Sequence, residues 1–337
     1  MFNLYKILFM IFMIFGTLIT ISSYSWFSMW IGLEINLLSI IPLISSTNNI
    51  YSSESAMKYF ITQAMASSII LFSIIMLSNM NEFIPMNLNY FLTMMMNSAI
   101  LMKMGAAPFH FWFPEMMDGL NWTNAFLILT WQKIAPMIIF MYNYNSSMFM
   151  IIIIIISSMI SGIMGLNNTS MRKIMTYSSI NHIAWMIASM MFNQMIWLVY
   201  FICYSLITMN LVYIFHIKNI FSLNQLFNSL NKNKMIKLFF FLNFLSLGGL
   251  PPFLGFFPKW LTINYLIMNN FMMMSMILII FSLISLFMYL RIGFSTLMIF
   301  SLENLIFKNQ FKNFYIFLFN FINLIALIFC TQIFNYI

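Results

Sequence analysis

Four ionisable side chains stand in stretches of this sequence that are otherwise too apolar to hold them. Glu34 is set in Trp30-Ile-Gly-Leu-Glu-Ile-Asn36, Lys103 in Leu101-Met-Lys-Met-Gly-Ala-Ala-Pro108, Lys133 in Thr130-Trp-Gln-Lys-Ile-Ala-Pro136, and Lys259 directly after Pro258. A charged group at the centre of a bilayer costs about 2.5 to 3.5 kcal/mol on insertion scales. These four lie too deep in their runs to snorkel, so they must line a bundle interior or a hydrated cavity. Burial favours the neutral form of a lysine and a neighbouring carboxylate favours the charged form. A lysine held between those influences can pick up and release a proton as its neighbour moves, which is the chemistry of a proton relay. The plainer reading is a fixed buried ion pair that only holds helices together. Three lysines with one acid favour a path.

Two histidines and two prolines are accessory candidates. His110 follows Pro108 by two residues, and His182, in Ser178-Ser-Ile-Asn-His182, shares a polar helical face with Ser178; a neutral imidazole passes protons near neutral pH. Pro108 and Pro252 interrupt helical hydrogen bonding where hydrocarbon otherwise enforces it. Glu54 and Lys58, four apart, read as a helix-surface pair, and Glu115 and Asp118 as solvated groups. No metal-binding cluster, Gly-rich dinucleotide fingerprint, Walker loop, iron–sulfur cysteine set or haem-holding histidine pair is present. Cys203 and Cys330 lie in separate apolar runs and read as buried apolar residues. The chain is expected to bind no cofactor and no metal and to carry no redox centre.

These groups need a membrane scaffold to position them. Of 337 residues 63% are hydrophobic and 6% charged, with a mean hydropathy of +0.94, far from the roughly 25% charged residues of a soluble domain. Apolar runs of about 20 residues, enough to cross a core of about 30 Å, recur along the chain. The first of them reads as a span and not as a cleaved signal, because no small-residue cleavage site and polar domain follow it. Segmentation gives about eleven transmembrane helices, over residues 3–21, 25–45, 55–78, 90–118, 122–143, 149–167, 171–191, 194–217, 236–268, 272–298 and 313–335. The fold class is therefore an all-α polytopic membrane protein in a single transmembrane domain.

The chain also repeats itself. Gly105, Pro108, Phe109, Phe113 and Pro114 recur as Gly249, Pro252, Phe253, Phe257 and Pro258, each 144 residues later. The two copies fall in the fourth and ninth predicted helices, an odd number of spans apart, which implies two inverted five-helix repeats, each with a Pro-broken helix. Residues 1–143 hold the first repeat, 149–298 the second, and 299–337 a loop and last helix. Ion sites of secondary transporters sit at such breaks.

Lys6, Arg172, Lys173, Lys218, Lys232, Lys234, Lys237, Lys308 and Lys312 all fall in loops or helix ends of one side, while the opposite loops lack Lys and Arg. The net charge of +8 is thus topological and calls for no nucleic-acid partner; by the positive-inside rule the N-terminus faces the cytoplasm-like compartment. The skew to Met, Phe, Ile and Asn, with 37 Met and 40 Phe, matches A/T-rich codons and an organellar genome.

Taken in order, Gly32-Leu-Glu34-Ile-Asn, Met57-Lys-Tyr-Phe-Ile-Thr-Gln63, Lys103-Met-Gly-Ala-Ala-Pro-Phe-His-Phe-Trp-Phe-Pro114, Trp131-Gln-Lys-Ile-Ala-Pro136, Ser178-Ser-Ile-Asn-His182 and Leu245-Ser-Leu-Gly-Gly-Leu-Pro-Pro-Phe-Leu-Gly-Phe-Phe-Pro-Lys-Trp260 resemble the chain 2 family of NADH:ubiquinone oxidoreductase, mitochondrially encoded and of the insect type. The resemblance runs end to end and is least distinctive over residues 300–337. It implies an antiporter-like, proton-translocating subunit of respiratory complex I, in the inner mitochondrial membrane with its N-terminus in the matrix. It further implies that Glu34, Lys103, Lys133 and Lys259 form the proton path. Partners would be other membrane-arm subunits, including neighbouring antiporter-like ones, and lipids; NADH, FMN, iron–sulfur clusters and ubiquinone would be handled by other subunits. Lys259 aligns in the repeat with Glu115 and not with Lys103, so the two lysines are not equivalent. The alternatives are a cation/proton antiporter, free-standing or multi-subunit, and a structural scaffold.

Overall fold

A computed structural model describes residues 4–46, 49–79, 86–143, 147–230, 234–251, 253–298 and 320–321. The described residues form two compact units, Met1–Ser157 and Ser158–Ile337. In the first unit the helices are α1 (Leu4–Ser22), α2 (Trp26–Ile44), α3 (Ile50–Asn79), α4 (Met86–Met104), α5 (Trp112–Asp118), α6 (Trp122–Leu129) and α7 (Trp131–Tyr142). Helix α8 (Ser147–Leu166) spans the division. The second unit holds α9 (Met171–Met190), α10 (Gln194–Lys218), α11 (Leu223–Leu230), α12 (Lys234–Gly248), α13 (Phe256–Met268) and α14 (Met272–Met298). Seven helical stretches among the described residues are long and apolar enough to cross a membrane, with α6 and α7 together counting as one.

Composition explains the helices individually. α1 buries Met13, Gly16, Thr17 and Thr20, one stripe at helical spacing, and exposes Leu8, Ile11, Phe12, Phe15 and Leu18 on its other faces. An apolar outer surface of that kind is compatible with lipid and not with water. The stripe packs on α2, where Gly16 and Gly32 let the two backbones approach; a Cβ on Gly32 would lie 2.8 Å from the Gly16 carbonyl oxygen. Small residues at such crossings are the usual means of close helix packing in lipid. Ser25 caps α2, its hydroxyl accepting from the Ser28 N–H at 3.3 Å. Within the spans, serine and threonine hydroxyls donate to carbonyls three or four residues earlier, as Ser67 does to Ala64 and Thr176 to Lys173. These bonds satisfy polar atoms that hydrocarbon cannot.

The helix positions follow the apolar runs. The helices expected to be broken, at 90–118 and 236–268, are each divided, into α4 and α5 and into α12 and α13. Two features differ. The 122–143 helix is interrupted at Thr130, whose N–H and hydroxyl both go to Phe126 O, at 3.1 and 2.8 Å. Pro136 lies within the continuous α7, six residues beyond the interruption. The short helix α11 was not anticipated. The 313–335 helix, Pro252 and Cys330 lie outside the described residues.

Helix α9 is the interior element of the second unit. Eighteen of its residues are buried, among them Thr176, Ser178, Ser179, Asn181, His182 and Ser189, and it packs on α10, α13 and α14. Asn181 donates to the Ser285 hydroxyl of α14 at 2.9 Å. A helix this polar is stable in a membrane only when other helices surround it.

Element boundaries recur at the offset of the sequence repeat. α3 and α10 begin at 50 and 194, α4 and α12 end at 104 and 248, and α5 and α13 begin at 112 and 256, each pair 144 apart. The repeated motif therefore marks a repeated run of elements and not a chance likeness of composition.

Candidate functional site

Both helix breaks are built the same way. α4 ends at Met104 and α12 at Gly248, and the next residue of each is a glycine with positive φ, Gly105 at 77° and Gly249 at 79°. The Ala106 N–H returns to Leu101 O at 3.1 Å and the Leu250 N–H to Leu245 O at 3.3 Å. Glycine in this left-handed position followed by a six-to-one return bond is a helix stop that residues with a Cβ make only under strain. The turn itself belongs to the glycine; Pro108, which is exposed and joined to Ala107 by a cis peptide bond, stands four residues past the end of its helix.

What fills each turn differs. Beside Gly105 lies the Phe113 ring, and a Cβ there would be 2.9 Å from the ring's Cδ1. Beside Gly249 lies Lys259, whose Nζ would be 3.1 Å from such a Cβ. Lys259, from the first turn of α13, donates through Nζ to Gly248 O at 2.9 Å and to Leu247 O at 3.4 Å. Its cation lies 5.7 Å from the centroid of the Trp185 ring. It thus caps the carbonyl end of α12, where the helix dipole favours positive charge. Glu115, at the equivalent repeat position, faces outward and meets Lys58 at 3.3 Å; Lys58 also meets Glu54, at 3.0 Å. The expected surface pair is therefore present with a third member.

Lys103 and Lys133 come together in the first unit. Lys103 is 8% exposed and Lys133 2%, and both line a cavity of about 10 Å³ that is also walled by Tyr59, Trp112, Phe113 and Gln132. A second cavity of about 10 Å³ is lined by Lys103, Tyr59 and Gln132 again, with Asn36, Gln63 and Pro136. That is about the room one water needs, and each cavity has several polar walls to hold it. The Lys133 ammonium lies 5.7 Å from the Phe113 ring centroid.

Glu34 is half-buried on α2. Among the described residues Glu34 and Lys103 form no ion pair within 4.0 Å, which departs from the expectation that the buried charges contact one another. The Glu34 Oε1 is buried without a hydrogen-bond partner among the described residues. His110 is buried in the first break, its Nδ1 3.3 Å from Pro108 O and its ring against Phe111. His182 on α9 meets the Tyr200 hydroxyl through Nδ1 at 2.9 Å and lies 5.0 Å from the Tyr204 ring. Trp185, which carries the Lys259 contact, stands one turn further along α9.

Side chains not singled out from sequence tie the first unit together. Gln132 donates to Asn36 Oδ1 at 2.7 Å and accepts from the Tyr59 hydroxyl at 3.3 Å. Gln63 donates to Lys103 O at 3.5 Å, and Trp112 Nε1 donates to Met102 O at 3.1 Å. Asn97 and Asn143 exchange bonds of 3.3 and 2.9 Å between α4 and the end of α7. The available signal was an amide beside each buried charge, Asn36 two residues from Glu34 and Gln132 next to Lys133.

Interrupted helices with lysines buried against the breaks define a class: a polytopic helical membrane protein built to pass ions. Comparison with known proteins narrows it. Residues 23–288 match the family model described as NADH:quinone oxidoreductase/Mrp antiporter, TM. The sequence is 48% identical over 332 residues to NADH-ubiquinone oxidoreductase chain 2 of Aedes aegypti, covering 97% of each chain. It is 48% identical over 313 residues to the chain of the same name from Anopheles gambiae, covering 91% of this chain and 90% of that one. Its fold matches a chain of the respiratory complex I of Thermus thermophilus with bound aureothin at a TM-score of 0.85 and 19% identity, over 96% of this chain and 79% of that chain. The chain belongs to the NADH:quinone oxidoreductase/Mrp antiporter membrane family, within the NADH-ubiquinone oxidoreductase chain 2 group. It is a multi-pass membrane protein of antiporter-like fold and a subunit of a multi-subunit membrane complex.

Proposed function

We propose that this chain passes protons through the membrane part of NADH:ubiquinone oxidoreductase by way of its buried lysines. As a member of the chain 2 group it is a membrane subunit of that H⁺-translocating enzyme. Lys103 and Lys133 are the carriers of the first unit, Glu34 biases Lys103 electrostatically, and Lys259 is the carrier of the second. The observation that carries this reading is the water-sized cavity lined by both Lys103 and Lys133. An ammonium on one side of a water and a neutral amine on the other can exchange a proton without either side chain crossing the space. His110 and His182 are accessory groups. Quinone reduction, with its NADH, FMN, iron–sulfur clusters and ubiquinone, belongs to other subunits.

The compartment is the inner mitochondrial membrane, with the N-terminus on the matrix side; the clustering of Lys and Arg in alternate loops supports that orientation. The two runs of elements at the 144-residue offset are read as inverted repeats, and other antiporter-like membrane-arm subunits and lipids are the neighbours. Replacing Lys103 with Met in the assembled complex removes the proton this chain contributes per NADH and leaves assembly intact. A wild-type ratio of protons to NADH in that variant refutes the relay.

A cation/proton antiporter is the second reading, because the matched family includes Mrp antiporters. Such a chain would exchange sodium for protons without an NADH-oxidising partner, and its failure to co-migrate with NADH dehydrogenase activity on a native gel would favour this second reading.

A further inference from the structure

Gln132 is one of three residues, with Tyr59 and Lys103, that line both cavities. It stands beside Lys133 on α7, lines both cavities with Lys103 and Tyr59, and is held from two other helices. One N–H of its amide goes to Asn36 Oδ1 on α2, at 2.7 Å, and its oxygen accepts from the Tyr59 hydroxyl on α3, at 3.3 Å. An amide has two N–H donors and two acceptor lone pairs. As placed, the amide turns one N–H toward Asn36 and its oxygen toward the Tyr59 hydroxyl. One N–H and one lone pair remain for the cavity. We infer that Gln132 is the positioning residue of the Lys103–Lys133 step, its pinned amide orienting the water that joins the two lysines.

The inference rests on the relay reading and deepens it. In the step, an N–H bond of the Lys103 ammonium breaks as an O–H bond forms on the water; another O–H of that water breaks as an N–H bond forms on Lys133. Lys103 ends as a neutral amine, Lys133 as an ammonium, and the water is restored. For this the water must accept from Lys103 while pointing an O–H at Lys133. The free N–H of Gln132 takes the water's second lone pair, and the amide oxygen or the Tyr59 oxygen takes its remaining O–H. The amide itself gains and loses no proton, so its part is orientation. Misplacement by about 1 Å in such an arrangement is enough to cost two orders of magnitude in rate.

The test compares Gln132→Leu, Gln132→Asn and Tyr59→Phe with Lys103→Met in the assembled complex in proteoliposomes. The readouts are protons pumped per NADH and the solvent deuterium isotope effect on pumping. Gln132→Leu is expected to match the loss seen in Lys103→Met, and Gln132→Asn, which keeps the amide one methylene shorter, to recover part of it. Tyr59→Phe, which removes a single O–H, slows pumping about tenfold or less and enlarges the isotope effect. It also serves if Gln132→Leu does not assemble. Normal pumping in Gln132→Leu beside a dead Lys103→Met overturns the role of Gln132 and spares the relay; normal pumping in Lys103→Met overturns the relay itself. An unchanged rate and isotope effect in Tyr59→Phe also overturns the inference.

Discussion

Replacing Gly249 with Ala tests the second break at a single atom. At φ 79° an alanine costs about 1 to 2 kcal/mol of backbone strain. The new Cβ would lie 2.8 Å from Lys259 Cδ and 3.1 Å from its Nζ, so the lysine must move. In moving, it gives up a charged hydrogen bond of 2.9 Å to Gly248 O, worth about 1.5 to 3 kcal/mol. The sum is about 3 to 5 kcal/mol. In a Lys259→Ala background neither the Cδ nor the ammonium remains to be displaced, and the same alanine should cost only the backbone strain, about 1 to 2 kcal/mol. The double-mutant cycle therefore predicts a coupling near 2 kcal/mol. Titrating the assembled complex with denaturing detergent in mixed micelles and following release of this chain gives each leg. Equal costs in the two backgrounds would show that the ammonium is not what occupies the turn, and the account of this break would be wrong.

Gly32→Leu forces α1 from α2, because even its Cβ would meet Thr20 Cγ2 at 2.5 Å and Gly16 O at 2.8 Å; the variant should fail to assemble, as seen on native gels, whereas Leu38→Ala on the exposed face of α2 should assemble normally. Lys259→Gln removes the cation from the end of α12, so amide exchange of Gly249 and Leu250, whose N–H groups return to Leu245 O, should quicken severalfold by mass spectrometry, with α14 as the unchanged reference.

Much of the scaffold could be read from apolar length alone. α1, α8 and α14 follow their runs closely, since a span in hydrocarbon has little choice but helix. The breaks could be read as well, though proline drew the eye and Gly105 and Gly249 make the turns. The interruption at Thr130 escaped because the run through it stays apolar and holds no glycine or proline at that point. The site was half legible. Buried lysines advertise themselves by rarity, and Lys103, Lys133 and Lys259 are buried as expected. Their partners do not. Asn36, Tyr59, Gln63 and Gln132 come from three helices, and single amides or a tyrosine in an apolar run carry no periodicity to say that they converge. Nor could spacing tell that Glu34 and Lys103 form no ion pair among the described residues, or that Lys259 takes helix carbonyls as its partners.

The two breaks share a backbone and differ in filling, and that difference separates what each can sense. A phenyl ring beside Gly105 carries no proton of its own, so the first joint is pinned by packing. An amino group beside Gly249 is a pin whose grip depends on its own cargo. Under the proposed relay, release of the Lys259 proton would take from α12 the positive end-piece that its last carbonyls hold, and the next proton would restore it. On that proposal the second joint reports its own occupancy: loading and unloading Lys259 would be at once transport and a change in the stiffness of the element that carries it.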